Sequence, residues 1–490
     1  MLLVARHEIR QAWRSQALVA FALVAAGLFV TAALFSSARL SRDVDARARY
    51  QAVVADQWRD QPDRHPHRVA HYGFLLFRPM APLSVFDPGV DRFTGTSLFL
   101  EAHRANFANF TDATESDALL RVGDLSPAMV AQLILPLFVF VLVAVSVARE
   151  REQGTAALLR CQGASWAELL GGKVAGTLTI TLLVIAPALV VSILIVVGGQ
   201  APDGWAWNGG AAGRLAGLVV AHALYFVSLG ALAAVLAASQ RTMRGALVTV
   251  LSVWIVVMVV VPRVVPALAA TIYPVPARST FTAEVERHIR RLGDGHNPND
   301  PRFAALRAET LATHGVSRVE DLPFNYNGLV STESERLTTQ ANREELARIH
   351  GIYRRQQAVV RLAGVVSPYL ALRSVSMALS GGDLDHAMAF EAQAEDYRFA
   401  LVQYLNDLHT HEVEHARDRY VESAGDTVAP SRQRIDRAHF AGAPVFEPQA
   451  PTWGAVVRAQ TWPLVSLSIW AGGLLLTLAR AGRWAGSVRE

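Results

Sequence analysis

Six separate runs of this 490-residue chain are long and apolar enough to cross a lipid bilayer, and no other feature limits its fold so severely. A bilayer core about 30 Å thick takes about 20 residues of helix, and the helix is favoured there because it satisfies its own backbone. Residues 16–38, 125–148, 174–197, 215–240, 245–262 and 461–479 meet that requirement. The composition agrees: 52% of residues are hydrophobic and 18% are charged, well under the roughly 25% of soluble domains. A further apolar stretch, 358–380, is set aside. Arg361 and Arg373 lie inside it, each costing about 2.5–3.5 kcal/mol near a bilayer centre, and Gly364 and Pro368 weaken it further.

Basic residues set the orientation. Arg6, Arg10 and Arg14 precede the first run; Arg149, Arg151, Arg160 and Lys173 separate the second from the third. Arg241 and Arg244 lie between the fourth and fifth, and Arg480, Arg483 and Arg489 follow the sixth, whereas the loop between the third and fourth carries only Arg214. The positive-inside rule then puts both termini in the cytoplasm. Ser36-Ser-Ala38 has the small residues of a signal-peptide cleavage site. The first run is longer than the roughly 7–15 residues of a signal core, so it is expected to remain as a span.

This topology leaves two long extracytoplasmic segments, 39–124 and 263–460, between short cytoplasmic pieces at 1–15, 149–173 and 480–490. In the first, the Pro/Gly-rich stretch from His65 to Gly89 reads as ordered loop. The second is helix-rich, with helical spacing over 331–352 and 387–420. The fold expected is an all-α membrane protein with six transmembrane helices and a largely helical extracytoplasmic domain. Pro136 and Pro187, mid-span, are expected to kink their helices. Cys161 is the sole cysteine, so no intrachain disulfide can form.

Two polar segments beside the membrane stand out. Met1–Ser15 sets Leu2, Leu3, Ile9 and Trp13 against Arg6, Glu8, Arg10 and Arg14, the pattern of an amphipathic helix in the interface. Between the second and third runs lies Arg149-Glu-Arg-Glu-Gln-Gly-Thr155, followed by Leu158-Leu159 and closed by Glu168-Leu-Leu-Gly-Gly-Lys173. Gly154 can end a helix in the left-handed conformation, and Thr155 suits the N-cap of the next.

Glu150, Glu152, Gly154, Thr155, Leu158, Leu159, Glu168, Leu169 and Lys173 match the pattern of the segment that joins the second and third membrane helices of ABC-2 type transporter permeases. Glu8-Ile9-Arg10, with Trp13 beside it, is similar to the interfacial helix of the same family. The resemblance extends to the six spans. Phe77 to Gly89 and Ser367 to Asp383 look like landmarks of a bacterial subset with long extracytoplasmic insertions. It implies an exporter-like permease subunit in the bacterial inner membrane, in a homo- or heterodimer, docked through that segment on a separate ATPase that binds ATP and Mg²⁺. It also implies that the chain is not itself an enzyme and carries no cofactor. A second reading is a mechanotransmitting subunit that acts on envelope partners without moving a solute.

Other motifs are weaker. Leu379-Ser-Gly-Gly-Asp383 is similar to an ATPase signature but lies in the outer segment, and no Gly-x-x-x-x-Gly-Lys-[Ser/Thr] exists to cradle phosphate; Gly172-Lys173 is followed by Val174. His411-Glu-Val-Glu-His415 fits the spacing of a zinc protease, with His409 as a third nitrogen. Its polar surroundings favour a solvated helix face, so no metal is expected. His65, His67 and His71 are expected to be surface histidines, because Pro66 interrupts regular helix between them. Of the Asp, Glu, His and Arg residues, only His222 lies deep in a span, and it is expected to make a polar bundle contact. A net charge of +4, dispersed to the ends of apolar runs, does not form the basic patch of a nucleic-acid binder.

Overall fold

A computed structural model describes residues 1–95, 97–104, 106, 125–197, 210–293, 297, 300–418 and 433–481. The apolar runs become helices because each must close its own backbone hydrogen bonds. Six helices among the described residues are long and apolar enough to span a bilayer. Arg483, Arg489 and residues 198–209 of the loop after the third run lie outside the described residues.

The chain begins with α1, Leu2–Arg14, and Ser15 caps the next helix by accepting from the Leu18 N–H. That helix, α2, Gln16–Arg59, does not stop at Ala38. It continues unbroken for 44 residues, a rod of about 66 Å at about 1.5 Å per residue, twice the bilayer core. Neither glycine nor proline occurs between Leu28 and Gln61 to end it.

The His65–Gly89 stretch is not loop throughout. His65 caps α3, Pro66–Tyr72, by accepting from the His67 N–H, and Pro66 takes the first helical position, where its missing N–H costs nothing. Strands β1, Phe74–Phe77, and β2, Ser97–Leu100, pair antiparallel, with Phe74 opposite Leu100.

The second span starts with a turn at Pro127–Met129 and a π segment, Val130–Ile134, and runs on as α4, Leu135–Glu152. Then follow α5, Thr155–Cys161, α6, Trp166–Val197, and α7, Ala211–Ala238. The fifth span is α8, Met243–Ile255, a π segment, Val256–Val260, and α9, Val261–Ile272, so it passes Pro262 instead of ending there. Both π segments sit just before a proline, Pro136 and Pro262, where the ladder lacks a donor. The freed carbonyls find hydroxyls: Tyr225 donates to Gln132 O at 2.7 Å, and Ser367 donates to Val257 O at 2.7 Å. Pro136 thus stands at a π turn near the start of its span, whereas Pro187 lies within α6.

Helix α7 is the axis of the bundle. Ala221, Leu229, Ala231, Ala233, Ala234, Ala237 and Ala238 are fully buried, and the small side chains let α4 approach closely.

Helices α10, Arg278–Leu292, α11, Pro301–His314, α12, Tyr326–Leu362, α13, Pro368–Ser380, and α14, Leu384–His411, follow. Short α15, Trp453–Ala459, leads to α16, Thr461–Ala479, the sixth span. The 358–380 stretch is not a span: it divides into the end of α12 and the 13-residue α13. Ala371, Leu372, Val375 and Ala378 of α13 nevertheless join the same apolar core as the membrane helices.

The remaining helices form a polar head built from both long segments. Val69, Ala70 and Ala102 pack with Leu401, Val402, Leu405, Ile435 and Phe440. The far end of α2 is locked into this head, where the Trp58 indole donates to Phe440 O at 3.1 Å. Helix α14 ends at His411 rather than near Tyr420, which lies outside the described residues.

Candidate functional site

At the end of the bundle that carries the chain's N-terminus, α4, α5 and the start of α6 make a tight hairpin. Gly154 adopts φ +71°, which L side chains rarely adopt, and turns the chain from α4 into α5. Thr155 does not cap α5. Its hydroxyl donates to Glu150 O at 3.1 Å and so satisfies the end of α4, because the left-handed glycine occupies the cap position itself. Ser165 and Glu168 form a reciprocal capping box at the start of α6: Ser165 Oγ accepts from the Glu168 N–H, and the Glu168 carboxylate accepts from the Ser165 N–H at 3.0 Å. Buried Trp166 lies beneath both Arg151 and Arg160, whose guanidinium carbons stand 5.6 and 5.5 Å from its ring centroid. Arg151 also donates to Ala238 O on α7.

The residues that match the permease pattern divide into two sets. Lys173 points inward, 2% exposed as a residue. Its ammonium lies 2.6 Å from Glu8 Oε1, 2.8 Å from Glu150 Oε1 and 2.8 Å from Ser146 Oγ, and Ser146 donates to Glu8 Oε2 at 2.7 Å. One cation therefore ties α1, α4 and α6 together. Leu159 packs against the apolar core and Leu169 is buried in it. Glu152, Leu158 and Glu168 face outward with Arg10 and Trp13 of α1, and Leu158 is 64% exposed.

Sequence reasoning singled out Glu8, Glu150 and Lys173 without joining them. It also passed over Gly172 and Gly176, which have the four-residue spacing of a close helix crossing. A side chain on Gly172 would meet Val4 Cβ at 2.6 Å, and one on Gly176 would meet Glu8 Cβ at 2.8 Å. That close approach of α1 to α6 brings Glu8 to Lys173. His222 accounts for itself as expected: its Nδ1 stands 2.8 Å from Leu218 O and its Nε2 3.5 Å from the Gln132 amide.

The protease spacing does not become a protease geometry. His411 is the last residue of α14 and sits 3.4 Å from Asp407, whereas His415 lies in a separate 3₁₀ turn, 3.2 Å from Asn325 Oδ1. The two rings share no helical face. His409 is instead buried in the head with His65. Both Nε2 atoms face Asp418, at 2.7 Å and 3.0 Å, and Asn325 and Asn327 also donate to that carboxylate. Burial raises the Asp418 pKa, but the hydrogen bonds from His409 and His65 outweigh it and hold the group far below the usual carboxylate range. Beside this knot His67 and His71 lie close together, with His103 against them.

A family model described as an ABC-2 family transporter protein matches residues 2–299. A second, described as a domain of unknown function (DUF3526), matches residues 278–449, most of the second long segment. No curated protein and no solved structure gives a match. The matched region covers α1, five of the six spans, and the hairpin with its buried lysine. The chain belongs to the ABC-2 family of transporter proteins, as a membrane component carrying a further, largely helical head.

Proposed function

We propose that this chain is the permease subunit through which a separate ATPase drives transport across the bacterial inner membrane, in the direction of export. The observation that carries the reading is the buried Lys173 knot. It makes α1, the α4–α5 hairpin and α6 one unit, while Glu152, Leu158, Arg160 and Glu168 stay exposed around it. A partner that pushes on this exposed rim acts on two spans at once. ATP and Mg²⁺ belong to that partner, a second permease chain completes the path, and the basic flanks put both termini in the cytoplasm.

A second reading, movement of the head without passage of a solute, is favoured by α2, which runs from the bilayer into the head without a joint. Both readings need the ATPase, so the first experiment is purification of the intact chain from native membranes with mass spectrometry of what accompanies it. An ATPase subunit in near-equal amount, lost with Leu158→Glu but retained with a head substitution, supports the coupling assignment. Recovery of the chain without an ATPase in gentle detergent overturns it.

A further inference from the structure

We propose that His67, His71 and His103 form a binding site for one divalent transition-metal ion of the zinc class, held from behind by Glu335. One ring nitrogen of each histidine lies within 4.8 Å of the others, and the Nε2 atoms of His67 and His71 are 3.1 Å apart. Metal–nitrogen bonds of about 2.0–2.1 Å in a tetrahedron put neighbouring ligand nitrogens about 3.3 Å apart, so this pair already stands at ligand spacing. The local cause is the start of α3. Capping by His65 and Pro66 at the first position set the helix so that His67 and His71, one turn apart, share a face. Imidazole nitrogens suit zinc, and three of them leave a fourth position open.

The third histidine is held at a cost. Among the described residues His103 is the one non-glycine residue with positive φ, at 65°, a conformation worth about 1–3 kcal/mol of strain that persists only where its surroundings impose it. Glu335 of α12 imposes it: its Oε2 accepts from the His103 N–H at 3.1 Å and lies 3.0 Å from His103 Nδ1. A carboxylate on one ring nitrogen orients the other towards an ion and makes it more basic, as behind many zinc-bound histidines. Glu335 is fully buried and shares Arg398 with Glu395, so two carboxylates face one guanidinium and the shell behind the histidines keeps a negative charge. His71 is exposed and His67 and His103 half-buried, so an ion can reach them. The neighbouring His65–His409–Asp418 cluster differs: all three are buried, and the Asp418 oxygens already face two rings and two amides. It holds the start of α3 through His65, the residue that caps it, and its His409 ring stands 6.0 Å from that of His67. An ion at His67, His71 and His103 would bond α3 to the β2 loop and, through Glu335, both to α12.

The test is calorimetric titration of Zn²⁺ into the intact, chelator-stripped chain in detergent, with the thermal midpoint of each variant as a folding control. One ion per chain is expected to bind at micromolar concentration or tighter. His71→Ala, at an exposed position, is expected to weaken binding by about 100-fold, and Glu335→Gln by about 10–100-fold. His411→Ala is expected to leave it unchanged. Absence of stoichiometric binding overturns the proposal, as does affinity unaltered by His71→Ala and His67→Ala. Loss of the ion with His409→Ala alone would also overturn it, by placing the ion in the buried cluster.

Discussion

Replacing Lys173 with methionine tests whether the buried cation, rather than apolar packing alone, fixes α1 to the bundle. Methionine is unbranched, one atom shorter than lysine and uncharged, so Glu8 and Glu150 are left facing each other with Ser146 between α1 and α4. Two carboxylates about 5 Å apart repel by about 3 kcal/mol at an effective dielectric constant of about 20. Removal of one partner from a buried ion pair costs about 3–5 kcal/mol by the same logic. Lys173→Met is therefore expected to destabilise the chain by roughly 3–5 kcal/mol. Adding Glu150→Gln should relieve part of that loss, because one of the two stranded charges disappears. The assay is reversible unfolding of the intact chain in mixed micelles, read as a double-mutant cycle. A cost below about 1 kcal/mol for Lys173→Met is what an exposed pair gives, and it would refute the reasoning. So would strict additivity of the two substitutions.

Two further outcomes follow from the packing and the charges. Gly172→Ile puts a branched side chain where even a Cβ meets Val4 Cβ at 2.6 Å, and α1 is expected to lift from α6; a cysteine crosslink between the two helices would then form at least tenfold more slowly, and an unchanged rate would count against the crossing. Burial raises the pKa of Asp383, but its hydrogen bonds and charge pairing with His386 outweigh this and hold it below its ordinary 3.8. Its stabilisation is thus present above that value and fades as pH falls through it, so the midpoint advantage of the wild type over Asp383→Asn should hold at neutral pH and shrink as the pH is taken below 3.8. An advantage independent of pH would show that Asp383 acts only as the neutral cap of α14.

Hydropathy made the spans legible because a bilayer demands a run of apolar residues that no soluble fold imitates at that length. The same reading cut α2 at Ala38, where the apolar residues end, although the 28–61 stretch holds nothing that breaks a helix. Hydropathy marks where the lipid stops, and helices stop for other reasons. The hairpin was readable in outline from Gly154, but the inward turn of Lys173 was not, since its partners come from α1 and α4. The four-residue spacing of Gly172 and Gly176 is visible in the sequence and points to that crossing. Pro66 reads from the sequence as a break between His65 and His67, yet proline at the first helical position starts a helix. His103 could not be read at all. It meets Glu335 across 232 residues, and neither lies in a recurrent pattern.

The length of α2 has a mechanical consequence. A rod of about 66 Å with one end in the bilayer and the other held by Trp58 in the head turns a small tilt into a large stroke: about 5° at the membrane sweeps the far end by about 6 Å. Displacements of that size rearrange side-chain contacts entirely, whereas the motion that produces them costs the membrane helices only a slight repacking. On the reading in which the head moves, a tilt of α2 in the bundle would be felt most at Trp58, where the same angle gives the largest displacement along the rod.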